Sequence, residues 1–240
     1  MKDFKKRVLI LGGSSDIGIQ LIQNLLEDNW KIVAHYSSKN DKLIKLKHKN
    51  LNLIQMNFKK INEKNYTKKI NIFSKYKYDA FVNLIGFIDN RSLKNTNLKS
   101  LLEIFKINSF IPMLIMKKIV KSMLKNSYGR ILNCSSIGVK FGGGEKSFNY
   151  SFSKHSVEFI PNIYKQWSKN DVLINNLRIG VTNTKIHKKM KKVSSLKKRI
   201  DLIPVNRMAT TKEIVNYILF LISHKNSYMT GETITASGGE

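Results

Sequence analysis

Only one cysteine, Cys134, stands in the chain. No disulfide framework can form within it, and a lone thiol fits a reducing compartment. Acids are also scarce: 16 Asp and Glu face 43 Lys and Arg, a formal charge of +27. Long apolar runs are missing, since none approaches the roughly 18 residues a membrane span needs. The opening MKDFKKRVLILGG has only Val8–Leu11 as an apolar stretch before glycine. It reads as a first strand and is too short for a signal peptide. His35, His48, His155, His187 and His224 show no ligand spacing, so no metal is expected. Cys134 falls inside a strand-like run and reads as a small buried hydrophobe.

The positive charge has two readings. It fits nucleic acid, an anionic membrane or an acidic partner. It equally fits compositional drift, because Lys, Asn and Ile are abundant throughout. No Arg-rich helix, zinc spacing or aromatic-interleaved basic strand supports specific nucleic-acid binding, and drift is the preferred reading. We expect a cytoplasmic protein with no membrane association.

What is present is an alternation. Val8–Leu11, Ile32–Ala34, Leu51–Met56, Ala80–Ile85, Ile131–Cys134, Leu173–Ile179 and Thr233–Ala236 read as strands. Between them run helical patterns such as Ile17, Leu21, Ile22, Leu25 and Leu26. The early strands are apolar without clean alternation, as strands covered on both faces are. The expected fold is α/β: a doubly wound, mostly parallel seven-stranded sheet with helices on both faces. No linker or repeat divides residues 1–240, so one domain is expected. Thr210-Thr211-Lys212-Glu213 has capping-box spacing before a helix. Gly142-Gly143-Gly144 marks a loop after the Cys134 strand, and Pro161 predicts an end or kink near Phe159–Ile160.

Two constellations carry chemistry. Leu11-Gly12-Gly13-Ser14-Ser15-Asp16-Ile17-Gly18 leads from strand to helix. Glycine admits a pyrophosphate close to the backbone, and the helix start offers free N–H groups. Gly12 and Gly18 anchor this turn, Ser14 and Ser15 supply hydroxyls, and Ile17 completes the cradle. Asp16 is out of character, because a carboxylate there repels a diphosphate; capping the helix and facing away is its expected role. The second strand ends His35-Tyr36-Ser37-Ser38-Lys39 with no acid for a ribose diol. Ser37, Ser38 and Lys39 suit a 2′-phosphate, which favours NADP(H) over NAD(H). In the second constellation, Tyr150 and Lys154 share a helix face, and a neighbouring ammonium is expected to lower the phenol's pKa. Ser136 closes a strand 14 residues earlier and offers a hydroxyl to polarise a carbonyl.

These elements together resemble the short-chain dehydrogenase/reductase family in its roughly 250-residue form, over nearly the whole chain. Gly12–Gly18 looks like its cofactor turn, and Asn57 stands where the family has Asp at the adenine. Val82-Asn83-Leu84-Ile85-Gly86 is similar to its Asn-Asn-Ala-Gly element, with Leu84 and Ile85 as departures. Asn108 matches its catalytic Asn, Gly129–Ser136 its catalytic-Ser strand, and Tyr150 and Lys154 its Tyr and Lys. Asn175, Gly180 and Thr184 fit the segment around its Pro-Gly motif, with Ile179 in place of proline. Gly231, Gly238 and Gly239 match its last strand and turn.

The resemblance implies reversible hydride transfer between a nicotinamide and a carbonyl/alcohol pair. It implies Tyr150 as general acid/base, Lys154 on the phenol and the nicotinamide ribose, Ser136 on the carbonyl oxygen, and Asn108 holding a water. Gly12, Ser14, Ser15, Ile17, Gly18, Ser37, Ser38, Asn57, Asn83, Gly86, Tyr150, Lys154, Gly180, Thr182 and Thr184 would hold the cofactor. A homodimer or homotetramer is implied, although Pro161 sits in a helix the family uses for assembly. Residues 184–203 would form a substrate lid. Lys185–Arg199 holds eight Lys or Arg in fifteen and no acid, which suits either a solvated loop or an anionic, carrier-bound substrate. Reduction of a 3-oxoacyl-(acyl-carrier-protein) is the leading specific reading. A sugar or nucleotide-sugar oxidoreductase and a non-catalytic cofactor sensor are the alternatives.

Overall fold

A computed structural model describes residues 6–185 and 193–240. The middle of the basic stretch, and with it much of the expected lid, lies outside the described residues. Seven strands form one sheet: β1 (Arg7–Leu11), β2 (Lys31–Tyr36), β3 (Leu51–Gln55), β4 (Ala80–Asn83), β5 (Gly129–Ser136), β6 (Val172–Ile179) and β7 (Thr233–Ala236). Their order is β3-β2-β1-β4-β5-β6-β7, and every pairing is parallel. Among the described residues the α-helices are α1 (Asp16–Glu27), α2 (Asp41–Ile44), α3 (Tyr66–Ile70), α4 (Leu98–Phe105), α5 (Ile111–Lys125), α6 (Phe148–Val157), α7 (Tyr164–Ser168), α8 (Val193–Ile200) and α9 (Thr211–Ile222).

The strands read as unbroken apolar runs because both faces are covered. On β1, Val8 and Ile10 join Leu21, Ile22 and Leu25 of α1 and Ile214, Val215 and Ile218 of α9. Leu9 and Leu11 face the other way, against Ile111, Ile115 and Ile119 of α5. Each strand residue therefore contributes apolar burial, at about 25 cal/mol per Å² removed from water. The capping box at α9 is formed, with the Thr210 side chain accepting from Glu213 N and Glu213 reaching back. Helix α6 stops at Val157, ahead of Pro161, and the chain resumes helically only at Tyr164. Proline's missing N–H and ring clash account for the break.

Between α4 and α5 lies one π turn, Lys106–Phe110, which carries Asn108. Pro112 sits in the first turn of α5, where a missing N–H is tolerated. Among the described residues no helix is long and apolar enough to cross a membrane. None of them group three His, Cys, Asp or Glu side chains in a way that could hold a metal ion.

Candidate active site

The order of the strands puts β1 beside β4, so the chain reverses its direction of progress there. In open parallel sheets the strand ends at such a reversal form a crevice. Here a cleft of about 650 Å³ opens at that place. Its walls come from the β1–α1 turn, the ends of β2, β4, β5 and β6, and the first turn of α6.

The β1–α1 turn forms because Gly12 takes φ +83°, a region other residues avoid. A Cβ at Gly12 would sit 2.9 Å from the Leu84 main chain, and one at Gly18 would sit 2.8 Å from Gly12 O. The turn is thus pressed against β4 and against its own helix. Ser15 is the N-cap: its Oγ accepts from Gly18 N at 3.0 Å and donates to Gly12 O at 3.0 Å. Its hydroxyl proton stays within the turn, so Ser15 shapes the cradle from inside. Gly13 N donates to His35 O at 2.8 Å, which ties the turn to β2. First-turn N–H groups of a helix have no intrahelical acceptor, and Ser14, Ile17 and Gly12 line the cleft beside them. This tight glycine turn, lining the cleft at the start of α1, fits a dinucleotide diphosphate.

Asp16 departs from its expected role. Ser15, not Asp16, caps α1. The Asp16 carboxylate lines the cleft and accepts from Lys185 N at 2.7 Å.

The adenosine side is built from β2 and β3. Ser37, Ser38 and Asn57 line it, with Asn57 capping a short turn by accepting from Lys59 N at 2.9 Å. Lys39 points away into solvent, 4.0 Å from Asp41, and takes no part in the cleft wall. Three residues of this wall were not foreseen. Asn40 donates to Ser14 O at 2.8 Å, joining the second strand's loop to the glycine turn. His35 stacks on Phe58, with ring centroids 4.2 Å apart, and binds Met56 O through Nε2 at 2.8 Å. Burial pushes its pKa down to about 4, against the Met56 bond that favours the cation. Lys59 completes the wall beside Phe87. A hydrophobic neighbourhood around His35 and an Asn before Asp-Lys-Leu were the available signals for two of them.

At the opposite end, Ser136, Tyr150 and Lys154 line the same cleft. Helix spacing puts Tyr150 and Lys154 on one face, and β5 delivers Ser136 to it. Gly86 leaves room above the phenol: a Cβ there would be 3.6 Å from the Tyr150 oxygen. Asn149 and Ser153 occupy the neighbouring face of α6 and are fully buried. Asn149 donates to Asp89 at 3.1 Å and accepts from Thr96 at 2.9 Å. Asn108 accepts from Phe87 N at 2.8 Å and donates to Phe87 O and Ser153 Oγ, each at 2.9 Å. The Asn108 side chain therefore locks α6 to the segment after β4.

The electrostatics correct one expectation. Burial pushes the Tyr150 phenol up to about 12, and the adjacent Ser136 hydroxyl pulls against that rise. The lysine does not lower it here. Its ammonium is held by the main-chain oxygens of Ile85, at 2.7 Å, and Cys134, at 2.5 Å. Burial brings Lys154 itself down to about 8. The phenol thus remains protonated through the neutral range. Asn83 accepts from Ile85 N at 3.2 Å and so shapes the turn that presents Ile85 O and Gly86.

The last wall is the end of β6. Gly180 and Thr182 line the cleft with Ile179, Thr184 and Lys185. Thr182 donates to Gly180 O at 3.0 Å, and Thr184 to Thr182 O at 3.3 Å. Cys134 also reaches the cleft, but burial pushes its thiol up to about 12.

Comparison with known proteins agrees with this geometry. A family model described as enoyl-(acyl carrier protein) reductase matches residues 13–240. The chain belongs to the short-chain dehydrogenase/reductase family. Its relatives within that family are of several kinds. It is 29% identical to the 3-oxoacyl-(acyl-carrier-protein) reductase FabG of Buchnera aphidicola subsp. Schizaphis graminum, covering 100% of this chain and 98% of that one. It is 27% identical to the L-rhamnose 1-dehydrogenase (NADP(+)) of Thermoplasma acidophilum, covering 100% of this chain and 98% of that one. A crystal structure of 3-oxoacyl (acyl-carrier-protein) reductase from Agrobacterium tumefaciens with NADP bound superposes with a TM-score of 0.85. It is 19% identical, over 98% of this chain and 94% of that one, and shows the shared fold. This short-chain dehydrogenase/reductase is accordingly an oxidoreductase using a nicotinamide cofactor.

Proposed function

We propose that the chain reduces 3-oxoacyl thioesters to 3-hydroxyacyl thioesters, with NADP(H) as the preferred cofactor. The observation that carries the reading is the single cleft in which Ser136, Tyr150 and Lys154 face the glycine turn. The FabG relatives favour the acyl substrate over the sugar. Ser14, Ser37 and Ser38, with no carboxylate at the end of β2, favour a 2′-phosphate on the ribose.

Gly12, Ser14, Ile17 and Gly18 would hold the diphosphate, Ser37 and Ser38 the phosphorylated ribose, and Asn57 the adenine. Asn83, Gly86, Gly180, Thr182 and Thr184 would enclose the nicotinamide half. When bound, the reduced nicotinamide supplies a hydride to the carbonyl carbon. Tyr150 gives its proton to the carbonyl oxygen as general acid. The proton to be given stands on the phenol through the neutral range. Ser136 donates to the same oxygen and stabilises the charge developing there. An ammonium has three donors; Lys154 uses two on Ile85 O and Cys134 O and keeps one for a ribose hydroxyl. Asn108 holds α6 in place through its bond to Ser153 and would position the water of the proton relay.

Exposed Leu98, Leu102, Phe110, Met113 and Phe152 make an apolar face on α4, the π turn, α5 and α6. Single exposed apolar residues are ordinary, but a continuous patch suits a contact, and this face would seat a homodimer or homotetramer. The test is oxidation of NADPH and of NADH with a panel of 3-oxoacyl thioesters on carrier protein and coenzyme A. Thioester-dependent NADPH turnover is expected. Turnover confined to sugars in the oxidative direction would move the assignment to a sugar oxidoreductase. Silence with every carbonyl and alcohol would leave a cofactor sensor.

A further inference from the structure

The carboxylate of Asp16 has no place in a diphosphate cradle, yet it stands in one. Both it and a diphosphate are drawn to the same positive end of α1. Its partner is across the cleft. The segment leaving β6 is fastened at its base: Thr182 bridges to Ala209, and Asn183 N donates to Ala209 O at 2.9 Å. Past Asn183 the next tie runs the other way, from Lys185 N to the Asp16 carboxylate at 2.7 Å. Asp16, Thr182, Thr184 and Lys185 all line the cleft. One short hydrogen bond thus joins the glycine turn's helix to the wall that faces it.

We propose that Asp16 is a positioning residue that clasps the cofactor cleft. Its oxygen fixes the Thr184–Lys185 end of the wall against α1. Its negative charge, beside the diphosphate seat, weakens dinucleotide binding and speeds release. The inference rests on the cofactor reading above for its second half only. The two effects separate chemically. Asparagine keeps an oxygen acceptor for Lys185 N–H and removes the charge. Alanine removes both.

The test measures two things on the wild type, Asp16→Asn and Asp16→Ala. One is hydrogen exchange at the Lys185 amide. The other is the dissociation constant of NADPH, read from its fluorescence, at low and moderate salt. The Lys185 amide should be protected in wild type and Asp16→Asn and should exchange at least about tenfold faster in Asp16→Ala. Asp16→Asn should bind NADPH about three- to tenfold tighter than wild type, the scale of one screened charge contact, with the gain shrinking as salt rises. Asp16→Ala should bind more weakly than Asp16→Asn, because its wall is loose. Equal exchange at Lys185 in all three proteins overturns the clasp. Binding by Asp16→Asn equal to or weaker than wild type overturns the charge effect. A wild type that binds no dinucleotide would instead remove the cofactor reading and the charge effect with it, while exchange at Lys185 still decides the clasp.

Discussion

Replacing Lys154 by methionine should stabilise the protein at neutral pH while stopping catalysis. Burial lowers the lysine from its ordinary 10.5 to about 8, with Cys134 and Glu158 opposing weakly. The unfolded chain therefore holds this proton up to about pH 10.5 and the native protein only up to about 8. Between those values the unfolded state binds more protons, so native stability rises with pH. Below about pH 8 the full penalty is present, about 3 kcal/mol at pH 7. Methionine is of similar length and carries no charge. It leaves the oxygens of Ile85 and Cys134 without the ammonium, at a cost of about 1 kcal/mol each. The variant should thus gain about 1 kcal/mol at pH 7 and lose about 1 kcal/mol at pH 10, where the lysine penalty has largely gone. Urea unfolding at the two pH values, at one protein concentration, measures both differences. A variant less stable than wild type at pH 7, with a difference that does not move with pH, would refute the argument.

Three further outcomes follow from the same geometry. Gly12→Ala forces φ +83° on a residue whose Cβ would meet Leu84 at 2.9 Å; it should cost about 1–3 kcal/mol in thermal or urea unfolding and abolish NADPH binding. Cys134, with its thiol pushed up to about 12, should resist iodoacetamide at pH 8 in the folded protein and react at once in urea. Leu98→Glu with Leu102→Glu, both on the exposed apolar face of α4, should shift the protein to monomer in light scattering without changing its far-ultraviolet dichroism.

Much of the fold was legible because its signals are local. Apolar runs without alternation announced strands covered on both sides, and α1 and α5 cover opposite faces of β1 as such runs require. The capping box at Thr210 and the break at Pro161 are decided within a few residues, and both stand where sequence puts them. Residues that share a strand end or a helix face were also found together: Ser136, Tyr150 and Lys154 meet in one cleft with the glycine turn. What could not be read was the partner of each polar atom across the fold. Asp16 bonds to Lys185, 169 positions away. Lys154 bonds to Ile85 and Cys134 rather than acting on Tyr150. Asn149, beside Tyr150, is held by Asp89 and Thr96. Helical spacing gives a shared face but neither the partners an ammonium takes nor the burial that pushes the phenol up.

The central claim is that one half-buried phenol in the cleft gives a proton while a hydride arrives from the cofactor. Single-turnover oxidation of bound NADPH by a 3-oxoacyl thioester, compared between wild type and Tyr150→Phe, tests it most directly. The account predicts a rate lower by about 10²–10⁴-fold with the NADPH dissociation constant nearly unchanged. A phenylalanine variant that turns over at close to the wild-type rate would contradict it.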